Sequence, residues 1–227
     1  GYVGLPGEEE QFSHPAGGDV CTSISLTASL WRSLAGDAPH LSSSSLYVDG
    51  RLDLAHRRLL VATRAHGGTS DAASESLVGI AAEVVRQVVA TPVPADSGAG
   101  DRALVARARE AIVAGDPASA GLISLAGLLG VSPYRLSRAF TRELGVSLTR
   151  YRNRVRVAFA LDRLEAGETG FAQLAADLGF ADQAHLSRTV REHLGHTPTA
   201  LRALLRGAAA PSRRSSPSPP AHRTAGR

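Results

Sequence analysis

Apolar positions are the first guide along this chain, and they change period partway through it. From Val20 to Leu30 small, polar and β-branched residues alternate around Val20, Ile24 and Leu26, a period of two that predicts a strand. Leu46-Tyr47-Val48 followed by Asp49-Gly50 predicts a second strand and a turn. Leu52 to Ala65 fits either period and is read as helix. Ser70 or Asp71 is placed to cap a helix over Ala72–Ala90, with Leu77, Ile80, Ala81, Val84, Val88 and Val89 as its apolar stripe. Residues 91–100, TPVPADSGAG, have linker composition. Everything from there to 206 carries the helical period, in pieces spanning Asp101–Ala114, Ser124–Leu129, Pro133–Leu144, Ser147–Glu165, Phe171–Leu178, Gln183–Leu194 and Pro198–Arg206.

Within that helical stretch the sequence repeats. Leu125-Ala126-x-x-Leu129-Gly130 returns as Leu174-Ala175-x-x-Leu178-Gly179 at an offset of 49. Leu136-Ser137-Arg138-x5-Leu144-Gly145 returns as Leu186-Ser187-Arg188-x5-Leu194-Gly195 at an offset of 50, so the second turn holds one more residue. Each copy has the logic of a helix-turn-helix. A short helix ends at a glycine able to take positive φ, and a buried turn residue follows, Val131 or Phe180. Ser132 caps the next helix with Pro133 in its first turn. In the second copy Ala181 has no capping oxygen, so Asp182 is expected to take that role. Leu136, Phe140 and Leu144 share one face of their helix, as do Leu186, Val190 and Leu194 of theirs. Tyr134, Ser137, Arg138 and Thr141 occupy another face, matched by Gln183, Ser187, Arg188 and Arg191. Arginine pairs with guanine and glutamine with adenine in the major groove, so these faces suit base reading.

The segment from Ser147 to Glu165 would make a rod of about 27 Å at 1.5 Å per residue. Leu148, Tyr151, Val155, Ala158 and Leu164 are its candidate contacts with both units, holding the two reading helices about one DNA turn (~34 Å) apart. Arg150, Arg152, Arg154 and Arg156 alternate around it, some placed to reach phosphate and the others solvated.

Charge sharpens the contrast between halves. Residues 1–100 hold 6 Arg against 11 acidic residues, residues 101–206 hold 15 against 10, and residues 207–227 hold 4 against none. An acidic sensing half and a basic nucleic-acid half follow from that split. The last 21 residues, rich in Pro, Ser and Arg, predict a disordered basic tail. No apolar run approaches the ~18 residues of a membrane span, and no signal-like segment opens the chain. With a single cysteine, Cys21, an internal disulfide is excluded and a cytoplasmic, nucleoid-associated location is expected. Methionine is absent even at position 1, so the N-terminal region is expected to be a partial one.

The second unit, Leu178-Gly179-Phe180-Ala181-Asp182-Gln183-Ala184-His185-Leu186-Ser187-Arg188 followed by Gly195-His196-Thr197-Pro198, closely resembles the AraC/XylS family of bacterial transcription regulators. The resemblance covers about residues 101–206. It implies a mixed chain, with an all-α C-terminal tandem helix-turn-helix domain of seven helices after a partial α/β or cupin-like sensing region. The division would be a sensing or oligomerisation region at 1–92, a linker at 93–100, the DNA-binding domain at 101–206 and the tail at 207–227. By the same resemblance the base-reading positions are Tyr134, Ser137 and Arg138, then Gln183, Ala184, Ser187 and Arg188. Arg135 and Arg191 are added as DNA contacts on the same helices, and Thr197 as a helix cap near the phosphate backbone. Two departures stand out: Val190 replaces the family's usual aromatic, and Ala184 is short where a polar reader is common. The first unit is therefore expected to dominate specificity. Implied partners are double-stranded DNA, RNA polymerase, a small-molecule effector and a second copy of the chain; no membrane, metal or cofactor is implied.

Two rivals remain. The cluster His14-Pro15-Ala16-Gly17-Gly18-Asp19 with Cys21 would serve a thiol-based sensor or an alkyl-accepting enzyme. It offers too few ligands for a metal site, and the bland reading is a turn followed by a strand with a buried Cys. Alternatively, the repeat units are a protein-interaction module that no longer binds DNA, against which the outward arginines argue. Trp31 reads as core.

Overall fold

The structure is a computed structural model, and it describes residues 1–4, 22–36, 46–66, 70–90 and 98–206. Every extended element among these residues is a helix. Three come first, α1 (Ala28–Ala35), α2 (Gly50–His66) and α3 (Asp71–Ala90). Seven follow: α4 (Ala99–Val113), α5 (Leu122–Leu128), α6 (Pro133–Leu144), α7 (Leu148–Glu165), α8 (Phe171–Asp177), α9 (Gln183–Leu194) and α10 (Pro198–Arg206). A 3-10 turn at Pro117–Ala120 lies between α4 and α5 and was not anticipated.

The expected α/β or cupin-like N-terminal region is corrected by this helical content. Among the described residues its only β feature is an isolated bridge at Tyr2, beside paired backbone hydrogen bonds between Gly1 and Leu46. Neither predicted strand is found among the described residues: 22–27 and 46–49 are irregular, and a polar side chain at the end of each caps a helix. Thr27 accepts a hydrogen bond from the Leu30 amide and starts α1 where the strand was expected to continue. Asp49 accepts from the Leu52 amide at 2.9 Å, so Asp49-Gly50 opens α2 instead of turning a hairpin. Helix Ala72–Ala90 is found as α3, with the Ser70 hydroxyl accepting from Ala73. Trp31 is half-buried on α1. The helix α4 begins at Ala99, inside the predicted linker, whose residues 91–97 lie outside the described ones. So do Cys21, the His14–Asp19 cluster and the tail.

Two cores organise the C-terminal half. The first gathers Leu104, Val105, Ala108 and Ile112 of α4 with Leu125, Leu129, Leu136 and Phe140. The second gathers Leu174, Ala175, Phe180, Leu186, Val190 and Leu194 with Leu201 and Leu205 of α10. Helix α7 serves both: Leu148, Tyr151 and Val155 enter the first, and Val157, Ala160, Leu161 and Leu164 the second. At 100° per residue these two sets point roughly 160° apart, so the units sit on nearly opposite faces of the shared helix. Reading α7 as a single stripe therefore chose Ala158, which is only half-buried, and missed Val157 and Leu161.

A smaller cluster of Leu52, Leu59, Ala73 and Ile80 joins α2 to α3. On another face, α2 leans against α7, α9 and α10, and its Leu54 is part of the second core. No helix among the described residues is long and apolar enough to cross a membrane.

Candidate nucleic-acid interface

The two turns that aim α6 and α9 are built alike. Gly130 has φ 69° and Gly179 φ 71°, a region costly for any residue with a Cβ. At the first, the Gly130 and Val131 amides donate back to the carbonyls of Gly127 and Ala126; at the second, Gly179 and Phe180 donate to Ala176 and Ala175. This is the Schellman pattern twice, at an offset of 49, satisfying the last carbonyls of α5 and α8. Each turn residue then covers its core, and a capping side chain starts the next helix. Ser132 Oγ accepts from the Arg135 amide at 3.2 Å, and Asp182 Oδ1 from the His185 amide at 2.6 Å. Asp182 thus takes the role that Ala181 cannot. His185, which the sequence did not single out, stands edge-on to the Phe180 ring at 5.3 Å, and its Nδ1 faces the Ala181 amide.

On α6, burying Leu136, Ala139 and Phe140 turns Tyr134, Arg135 and Arg138 to solvent, with Ser137 half-buried beside them. On α9, burying Leu186, Thr189, Val190 and Leu194 leaves Gln183, Ala184, Arg188 and Arg191 exposed, again with the serine, Ser187, half-buried. The predicted reading residues therefore share one outward face within each unit. Thr197 is half-buried, and its hydroxyl accepts from the Ala200 amide at 3.2 Å, capping α10 as expected.

Side-chain contacts separate the arginines. Arg138 lies over the Tyr134 ring, 5.5 Å from its centroid, and Nη1 donates to the Tyr134 hydroxyl at 2.7 Å. That hydrogen bond holds the guanidinium pKa above its usual value and uses only Nη1. Arg135 and Arg142 both face Asp101 of α4, at 3.7 and 3.0 Å. Among the described residues no carboxylate lies within 4.0 Å of Arg188 or Arg191.

The arginines of α7 mostly serve the fold. Arg152 donates to the carbonyls of Ser119 and Ala120, and Arg154 to that of Val48 at 2.8 Å. Arg156 lies over the Phe180 ring at 5.7 Å, its pKa lowered first by burial and then by Arg152. Arg150 alone of the four is exposed, beside a recess lined by Tyr47, Asp49, Gly50, Arg51, Glu192 and His193. Among the described residues no three His, Cys, Asp or Glu side chains converge as a metal site.

A pair of helix-turn-helix units sharing one helix, each with a solvent-facing basic helix, defines a DNA-binding class of domain. Residues 125–204 match the family model described as "Helix-turn-helix domain". Over 82 residues the chain is 32% identical to the arabinose operon regulatory proteins of Salmonella typhimurium and Escherichia coli. The match takes in 36% of this chain but only 29% and 28% of theirs. A solved transcriptional regulator from Chromobacterium violaceum, with an AraC-type DNA-binding domain, is 26% identical; 51% of this chain aligns with all of it, at a TM-score of 0.43. The helix-turn-helix part of this chain is thus similar to the DNA-binding parts of AraC-type regulators.

Proposed function

We propose that the chain is a sequence-specific transcription regulator that reads one DNA duplex with both units, α6 and α9 entering successive major-groove segments. The observation that carries this is the duplication: two helices of equal length, started by a side-chain cap, aimed by a positive-φ glycine turn, and bearing Ser and Arg on the outward face. Tyr134, Ser137 and Arg138 read one block; Gln183, Ala184, Ser187 and Arg188 read the other. Ala184 is suited to the methyl of thymine. Arg135, Arg191 and Thr197 bind or approach phosphate. The partner is double-stranded DNA. RNA polymerase, a small-molecule effector and a second copy of the chain belong to the same proposal, and the activity involves no catalysis. The extents 1–92, 93–100, 101–206 and 207–227 remain the proposed division, with α2 in contact with the DNA-binding part.

Selection of bound sequences from a random duplex pool tests this reading. The expected product is an asymmetric site with two short blocks about 10 base pairs apart, bound with an affinity that falls steeply with salt. A single block or no enrichment would refute it.

A further inference from the structure

We propose that residues 46–66 form a strap that belongs to the DNA-reading module and fixes the spacing its two units accept, with Tyr47 and Arg57 as positioning residues. The inference rests on the two-block reading above.

The strap touches both units within ten residues. At its start the Tyr47 ring packs against Tyr151, 6.2 Å between centroids, and Tyr151 stands edge-on to Phe140 in the first core at 5.3 Å. The next carbonyl, of Val48, accepts from Arg154 near the middle of α7. Asp49 then caps α2, and Gly50 presses on the end of α9. A Cβ at Gly50 would lie 2.8 Å from Leu194 Cδ2 and 3.4 Å from the His193 carbonyl. One turn on, Leu54 enters the second core and is 5% exposed. By the repeat, Phe140 of the first core corresponds to the smaller Val190 of the second, the core that Leu54 joins. Finally Arg57, only 17% exposed, meets Asp53 at 3.0 Å, Asp162 at 2.7 Å and Glu165 at 3.1 Å. Asp162 and Glu165 lie in the last turn of α7, so this grip joins the strap to the far end of the shared helix.

The mechanical consequence follows from α7. With the units on nearly opposite faces of one helix, a small bend or twist of that helix swings one reading helix relative to the other. A second connection, anchored in the first core by Tyr47 and in the second by Leu54 and Arg57, resists that swing. A rigid reader is sensitive to block separation, because each added base pair also rotates the second block by about 35° around the duplex.

The test uses the full chain, its Arg57→Ala and Tyr47→Ala variants, and duplexes carrying the selected site with the blocks moved by zero, one or two base pairs. Fluorescence anisotropy at one salt concentration gives the affinities, and circular dichroism the helicity. The native chain is expected to lose about tenfold or more on a two-base-pair change, close to 1.4 kcal/mol. Each variant should keep native helicity, bind a single block as before, and vary less than about threefold across the series, because the penalty for flexibility is spread over all spacings. Variants that retain the native spacing profile would overturn the strap. So would variants that lose binding at every spacing, single block included, since the segment would then be a plain part of the fold. A native chain that ignores spacing would instead refute the two-block reading on which the strap rests.

Discussion

Removing the cap of α9 should separate helix order from charge at the interface. Asp182 supplies an oxygen to the His185 amide at 2.6 Å, and its carboxylate sits where the helix dipole is positive. Its counterpart Ser132 is followed by Pro133, which has no amide to satisfy, whereas α9 starts with Gln183. The second helix therefore depends more on its cap. Asp182→Ala should cost about 1 kcal/mol for the lost cap. In a chain of this size that lowers Tm by about 2–4 °C. If the first turn must reorder on DNA, the same 1 kcal/mol weakens specific binding about fivefold. Asp182→Asn keeps the cap and deletes the charge, so its Tm should stay near native while binding to a scrambled duplex tightens, a carboxylate beside phosphate having been removed. Melting curves and anisotropy titrations on specific and scrambled duplexes at one salt concentration measure all of this. The reasoning fails if Asp182→Ala keeps the native ratio of specific to scrambled affinity, or if Asp182→Asn loses as much as Asp182→Ala.

Leu54→Ala should destabilise by about 2–4 kcal/mol, since it removes a buried side chain from the second core; an unchanged urea midpoint would show α2 to be a bystander. Arg138→Ala is expected to weaken specific binding more than Arg188→Ala at equal salt, because Tyr134 orients Arg138; equal or reversed losses contradict this. Burial keeps the His193 imidazole below its ordinary pKa, with Glu192 and Asp49 opposing the shift and Arg150 and Arg154 adding to it. The unfolded chain therefore takes up that proton first, and stability should fall as the pH drops below about 6.5 towards the folded pKa, then level off. Urea midpoints between pH 7.5 and 5 should show a shallower slope in His193→Gln; a slope identical to native would remove His193 as its source.

The readable part of this chain is the part where local signals agree. Helices α6, α9 and α10 begin and end where the sequence predicted, because Ser132-Pro133, Gly145, Gly195 and Thr197-Pro198 punctuate an apolar stripe of the right period. The outward faces followed from that stripe. Even the Tyr134–Arg138 contact was available in principle, as a pair four residues apart on one helix. The N-terminal half lacks such agreement. Val20, Ile24 and Leu26 are too few to distinguish a strand from an irregular segment, and an aspartate before glycine serves a turn and a helix cap equally well. What no local pattern could disclose were contacts made across distance. Arg142 meets Asp101 from 41 residues away, Arg57 meets Glu165 from 108, and Arg154 meets the Val48 carbonyl from 106. Arg152, Arg154 and Arg156 of α7 show this: a charge that looks available in sequence is already engaged once the chain folds.

Engagement of that kind leaves α6 and α9 electrostatically unequal despite the repeat. On α6, Asp101 faces Arg135 and Arg142, so much of the helix's charge is balanced within the protein and Arg138 is the cation presented, held in one orientation by Tyr134. On α9, neither Arg188 nor Arg191 faces a carboxylate among the described residues, and the residue between Gln183 and His185 is only alanine. Neutralised cations contribute little to phosphate attraction, whereas unbalanced ones release counterions and bind any sequence. An oriented guanidinium loses less freedom on meeting guanine and so discriminates better between bases. On the proposed two-unit reading, the first unit then carries more of the choice of sequence, and the second adds more phosphate attraction while reading its own block.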